Sequence, residues 1–70
     1  MRIDAKKAER VAFLLKNTYK SDLTNKQIDD IIGVLEVLYH FHAVGDGLLW
    51  IAIKSLLEDY REEKETRNEN

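Results

Sequence analysis

Cysteine and proline are both missing from this 70-residue chain, and glycine occurs only at positions 33, 45 and 47. Without cysteine there is no disulfide and no thiolate metal site, which fits a reducing cytoplasm. Without proline, no residue of the type that breaks a helix interior is present. Long apolar runs are lacking too. LLWIAI, residues 48–53, is far short of the roughly 20 residues needed to span a bilayer. The N-terminal MRIDAKKAER carries no apolar signal segment. The expectation is a soluble, cytoplasmic protein with no membrane partner. Charge of one sign is also missing in bulk: 11 Lys and Arg stand against 13 Asp and Glu, a net of −2. That balance argues against strong general affinity for nucleic acid.

What is present suits a helical domain. Apolar residues make up 44% and charged residues 34% of the chain, more apolar than disordered segments carry. Seventy residues allow one small domain with a marginal core, the size at which a partner subunit is often recruited. The charge is uneven. Residues 1–20 hold Arg2, Lys6, Lys7, Arg10, Lys16 and Lys20 against Asp4 and Glu9, so the remaining fifty residues are net acidic.

Three helices are predicted, so the fold class is all-α. The first spans about 5–19, with Asp4 as its N-cap. Ala8, Val11, Ala12, Leu14, Leu15, Thr18 and Tyr19 share its apolar face, while Phe13 falls among the charges. After the polar break Lys20–Ser21–Asp22, Thr24 and Gln27 spell a capping box, and Leu23 and Ile28 a hydrophobic staple. The second helix is expected over 25–43, with a main face of Ile28, Ile31, Ile32, Leu35, Leu38, Tyr39 and His42. Val34, Val37 and Phe41 widen that face beyond half the circumference, more than one neighbouring helix is expected to cover. Gly45 suits a left-handed C′ position and Asp46 the next N-cap. A third helix is expected over 47–63, with Leu49, Trp50, Ile53, Leu56, Leu57 and Tyr60 as its stripe and Leu48, Ile51 and Ala52 outside it. Helices two and three are expected to form an antiparallel hairpin. Residues 1–60 form the domain, and 61–70, nearly all charged, are expected to fray.

The stretch LTNKQIDDIIGVLEVLY, residues 23–39, resembles a DNA-reading helix-turn-helix unit in its spacing, with Gly33–Val34 at the turn. Its residues depart from the pattern. Asp29 stands where the two helices of such a unit touch, a costly place for a charge. Leu35 stands where a polar cap is usual. The recognition helix would be LEVLYHFHA, with almost no side chain able to read base edges. A single helix running through Gly33 accounts for these residues better, because Gly inside a helix costs only about 1 kcal/mol.

Other chemistry is sparse. His40 and His42 lie about 200° apart on a helix and cannot grip one metal ion; His42 is expected to be partly buried and His40 exposed. Ser21 and Ser55 have no local base, and no glycine-rich phosphate loop exists. No catalytic, cofactor or metal site is expected, and the protein is read as no enzyme. It is read instead as a small homodimeric interaction protein, a regulator, adaptor or inhibitor of the type found among bacterial and phage accessory proteins, docking on an unidentified protein. The candidate interface residues are Phe13, Val34, Val37, Leu38, Phe41 and Trp50. The alternative is a small dimeric DNA-binding protein that uses Lys6, Lys7, Arg10, Lys16 and Lys20 of the basic first helix, or a degenerate helix-turn-helix.

Overall fold

The computed structural model describes residues 4–43 and 45–68; residues 1–3, 44 and 69–70, Arg2 and Val44 among them, lie outside this description. Three α-helices form among the described residues: α1 at Ala5–Asn17, α2 at Asn25–Val37 and α3 at Gly47–Asn68. A 3₁₀ turn at Lys20–Asp22 leads into α2, and a π-helical turn at Leu38–His42 carries α2 onward toward α3.

Each helix begins where a short polar side chain can satisfy its free amides. The Lys6 amide donates to Asp4 Oδ1 at 3.0 Å. The Gln27 amide donates to Thr24 Oγ1 at 3.1 Å, and the Thr24 amide to Gln27 Oε1 at 2.8 Å, which completes the capping box. The Leu49 amide donates to Asp46 Oδ1 at 3.1 Å at the start of α3. Gly45 before it takes φ +89°, the left-handed value that favours glycine.

The core is Val11, Leu23, Ile28, Ile31, Ile32, Val34, Leu35, Ala43, Ile53, Leu57 and Tyr60, with Leu14, Leu15, Leu38, Tyr39 and Trp50 packed partly buried around it. Ile28, Ile31 and Leu35 are the largest fully buried side chains, and all three come from α2. Both α1 and α3 pack on α2. A single neighbour was expected to be too little to cover α2; the chain itself supplies two, and Val34, 6% exposed, lies within its own core.

Four boundaries or faces bear on the sequence reading; three differ from it and the second agrees with it. First, α1 stops at Asn17. Thr18 and Tyr19 are extended, and the 3₁₀ turn that follows brings Leu23 into the core. Tyr19, once off the helix, is exposed rather than on an apolar face, and Ala12 is exposed with it.

Second, α2 runs through Gly33 without a break, and Gly45 is the one described residue with positive φ. The helix-turn-helix reading required a turn at Gly33–Val34; none forms, so a degenerate unit of that type is excluded there.

Third, the turn after Val37 is π rather than α. The Ala43 amide donates to the Leu38 carbonyl five residues back, at 2.8 Å. The wider turn shifts the inward position by one residue. Ala43 is fully buried in the place the wheel assigned to His42, and His42 is exposed. The expected partial burial of His42 is therefore wrong. His40 is exposed as well.

Fourth, α3 extends through Asn68, so residues 61–68 are helical rather than frayed. The cause is Arg67. Its Nε meets Glu63 Oε2 at 2.9 Å. One terminal nitrogen donates to the Leu23 carbonyl at 2.7 Å and to Asn25 Oδ1 at 3.0 Å, and the other to the Lys20 carbonyl at 3.1 Å and, longer, to the Ser21 carbonyl at 3.5 Å. The guanidinium thus ties the last turn of α3 to the junction of α1 and α2, and its fork geometry suits several acceptors at once.

Ion pairs mark the register of α3 on α2. Lys64 meets Asp29 at 2.7 Å and Arg61 meets Glu36 at 3.6 Å. Further along, Tyr39 stacks on Trp50 with ring centroids 5.3 Å apart, and Lys54 Nζ lies 4.9 Å from the Trp50 centroid. Each ion pair is half-exposed and contributes little stability, roughly 0–1 kcal/mol, but together they fix which residues lie opposite.

Candidate interaction surface

At 1.5 Å per residue, the 22 residues of α3 extend about 33 Å, whereas the 13 of α1 and of α2 reach only about 20 Å each. The described fold measures 38 × 23 × 21 Å, so its long dimension is set by α3. Lys7, near the start of α1, pairs with Asp30 at 3.5 Å, midway along α2. The basic helix therefore lies beside the first half of α2.

The first turns of α3 are apolar and exposed. Leu48 is 85% exposed and Ile51 60%, and Leu49, Ala52 and Leu56 are exposed as well. Leu49 and Leu56 were expected on the buried stripe of this helix; of that stripe only Ile53, Leu57 and Tyr60 are buried. Large contiguous apolar patches are uncommon on monomers, whereas single exposed apolar residues are ordinary. Leu48, Ala52 and Leu56 follow one another at intervals of four residues, so they line one ridge of the helix surface.

The candidate interface residues fall into three groups. Val34 is buried inside the chain and offers no surface. Leu38 and Trp50 pack partly buried against the core, Trp50 engaged by Tyr39 and Lys54, and Val37 is half-buried. Phe41, 57% exposed, and Phe13, 64% exposed, do reach solvent. They lie on different elements, Phe41 in the π turn and Phe13 on α1. Phe13 lines a groove of about 440 Å³ with Val11, Leu14, Lys7, Glu9, Arg10, Gln27 and Asp30. Leu48, Leu49 and Ile51 were not on the candidate roll. The signal that could have found them was their apolar character at the helix start, where the stripe was wider than one neighbour needs.

Of the basic residues of α1, Lys7 is engaged by Asp30. Lys6, Arg10 and Lys16 are exposed and make no ion pair with a described residue. Among the described residues, no three His, Asp or Glu side chains gather where they could hold a metal ion, and no buried side-chain nitrogen or oxygen lacks a hydrogen-bond partner. No helix of the described residues is long and apolar enough to cross a membrane. One ionisable core group stands apart: burial pushes the Tyr60 phenol above its usual pKa, and the charge of neighbouring Asp59 acts in the same direction. No family model, no curated protein and no solved structure matches this chain.

Proposed function

We propose that this chain is a small non-enzymatic interaction protein, a regulator, adaptor or inhibitor, that works as a homodimer built on an antiparallel hairpin of α2 and α3. The observation that carries this reading is the exposed apolar surface on the first turns of α3. The hairpin is supported by the order of the cross-links: Asn25 with Arg67, Asp29 with Lys64, Glu36 with Arg61 and Tyr39 with Trp50 step forward along α2 and into the π turn as they step back along α3. The dimer now rests on α3, because the apolar breadth of α2 is accounted for by α1 and α3.

A rough magnitude supports self-association. Leu48 and Leu56, on one ridge, together leave uncovered the equivalent of more than one whole apolar residue. At about 1.5–3 kcal/mol per apolar side chain buried, one such ridge gains roughly 2–4 kcal/mol, and the same ridge on two copies twice that. Association costs roughly 4–15 kcal/mol. A pairing to which both copies contribute thus falls in the range of a weak dimer. Sedimentation equilibrium at micromolar concentration tests it: twice the 8.2 kDa chain mass is expected, and the chain mass alone across that range refutes the homodimer.

A second reading, a DNA-binding protein, is favoured by the three unneutralised bases Lys6, Arg10 and Lys16 on α1. It predicts salt-sensitive binding of generic duplex DNA. A gel shift with no binding at low salt removes it.

A further inference from the structure

We propose, resting on the homodimer reading above, that a second copy of this chain docks on the ridge Leu48–Ala52–Leu56 of α3, antiparallel to it, across a two-fold axis that passes beside Ala52. The ridge reads the same in both directions: a leucine four residues before a central alanine and a leucine four residues after it. A two-fold contact requires this self-complementarity, since residue i meets j and j meets i. With Ala52 opposite Ala52 of the second copy, Leu48 of each copy faces Leu56 of the other. Alanine at the centre lets the two helices approach closely, and ridges of residues four apart are the commonest helix packing element.

Charge favours the same occupant. Between Gly47 and Leu57 the only charge is Lys54, which is engaged over the Trp50 ring. The acids of α3 begin at Glu58 and Asp59 and continue through Glu62, Glu63 and Glu65, and the three bases among them, Arg61, Lys64 and Arg67, are held by Glu36, Asp29 and Glu63. A basic partner of another kind would be drawn to that acidic half and would leave the neutral ridge open. Two copies of a net-acidic chain repel, and an antiparallel crossing at Ala52 sends their acidic halves in opposite directions. The exposure of the ridge leucines, 85% at Leu48 and 38% at Leu56, is surface that the chain itself leaves bare and that both copies would cover together. That matters for a contact below the usual interface size, where each half must contribute.

The absence of cysteine makes the test direct. Ala52→Cys introduces a single thiol on the proposed axis, and under mild oxidation most of the chain is expected to run as a disulfide-linked dimer, because the facing positions come within disulfide reach. Glu65→Cys, on the exposed acidic half, is expected to stay uncross-linked. Leu48→Cys mixed with Leu56→Cys is expected to cross-link faster than either alone. Ala52→Glu is expected to sediment as a monomer with unchanged helical circular dichroism, as the exposed position has no core role. A wild-type chain that stays monomeric to tens of micromolar overturns the homodimer reading and this inference together. A dimeric wild type whose Ala52→Glu variant remains dimeric, or in which Glu65→Cys cross-links and Ala52→Cys does not, overturns the inference alone.

Discussion

Arg67 is the residue whose removal tests the fold most sharply. Its guanidinium reaches acceptors on both sides of the α1–α2 junction: the Leu23 carbonyl at 2.7 Å, Asn25 Oδ1 at 3.0 Å and the Lys20 carbonyl at 3.1 Å, besides Glu63 within its own helix. The side chain is only 22% exposed, so solvent screens these bonds partially. A hydrogen bond to a charged group contributes about 1.5–3 kcal/mol, and a truncation that leaves acceptors able to rehydrate recovers part of the loss. Discounting for shared geometry and rehydration, Arg67→Ala is expected to cost about 2–3 kcal/mol. That is a large share of the 5–15 kcal/mol typical of small domains. At roughly 4–8 °C per kcal/mol for a domain of this size, Tm should fall by about 8–24 °C. Arg67→Lys should restore less than half of the loss, because an ammonium cannot fork across acceptors from three residues. Glu63→Gln, which removes only the contact within the helix, should cost under about 1 kcal/mol. Urea denaturation followed by circular dichroism measures all three. If Arg67→Ala lies within about 0.5 kcal/mol of wild type, the last turn of α3 is not docked on the α1–α2 junction and the explanation given for its order is wrong.

Two further predictions concern single residues. Beyond its chain neighbours and, for Gly33, the backbone of its own helix, neither Gly33 nor Gly45 has an atom within 4 Å of where a Cβ would stand, so the same substitution isolates backbone conformation: Gly33→Ala, in helical backbone, should stabilise by up to about 1 kcal/mol, while Gly45→Ala, at φ +89°, should destabilise by about 1 kcal/mol; thermal melts with the same sign for both variants would refute this. Burial raises the Tyr60 pKa above its value in the unfolded chain, about 10, so the unfolded state releases its proton first and the stabilising contribution is complete below pH 10 and drains away as pH rises through the folded-state value; Tyr60→Phe should flatten the alkaline loss of stability in denaturant titrations, and a slope equal to that of wild type would show the phenol to be exposed.

Much of the architecture was legible without coordinates, because the signals were local. Asp4, Thr24 with Gln27, and Asp46 are side chains that hydrogen-bond amides two or three residues away, and each helix begins at one of them. The continuity of α2 through Gly33 was also legible: Asp29, Gly33 and Glu36 share one side only if the helix does not turn there. What misled was the assumption of constant helical pitch. His42 falls on the apolar side of an α wheel, and one π turn moves it out and Ala43 in. Local propensity carries no mark of that change, since the burial of Ala43 belongs to the core assembled from all three helices.

The amino-acid sequence by itself determined the helices, their caps, the polar break before Leu23 and the glycine turn at Gly45, all of which follow from interactions within about four residues. Only the tertiary structure decided which apolar residues remain in water. Phe13, Leu48, Leu49 and Leu56 are as apolar as Leu57 or Ile53, and periodicity alone could not tell covered from bare. The difference lies in the face each residue occupies: Leu56, 38% exposed, and Leu57, 3% exposed, are neighbours about 100° apart around α3, and only the side of α3 that meets α2 is covered. The same holds for Arg67. In the sequence it stands in a charged run like any solvated tail, and its role exists only because the fold brings three backbone carbonyls from residues 20, 21 and 23 within reach of one guanidinium.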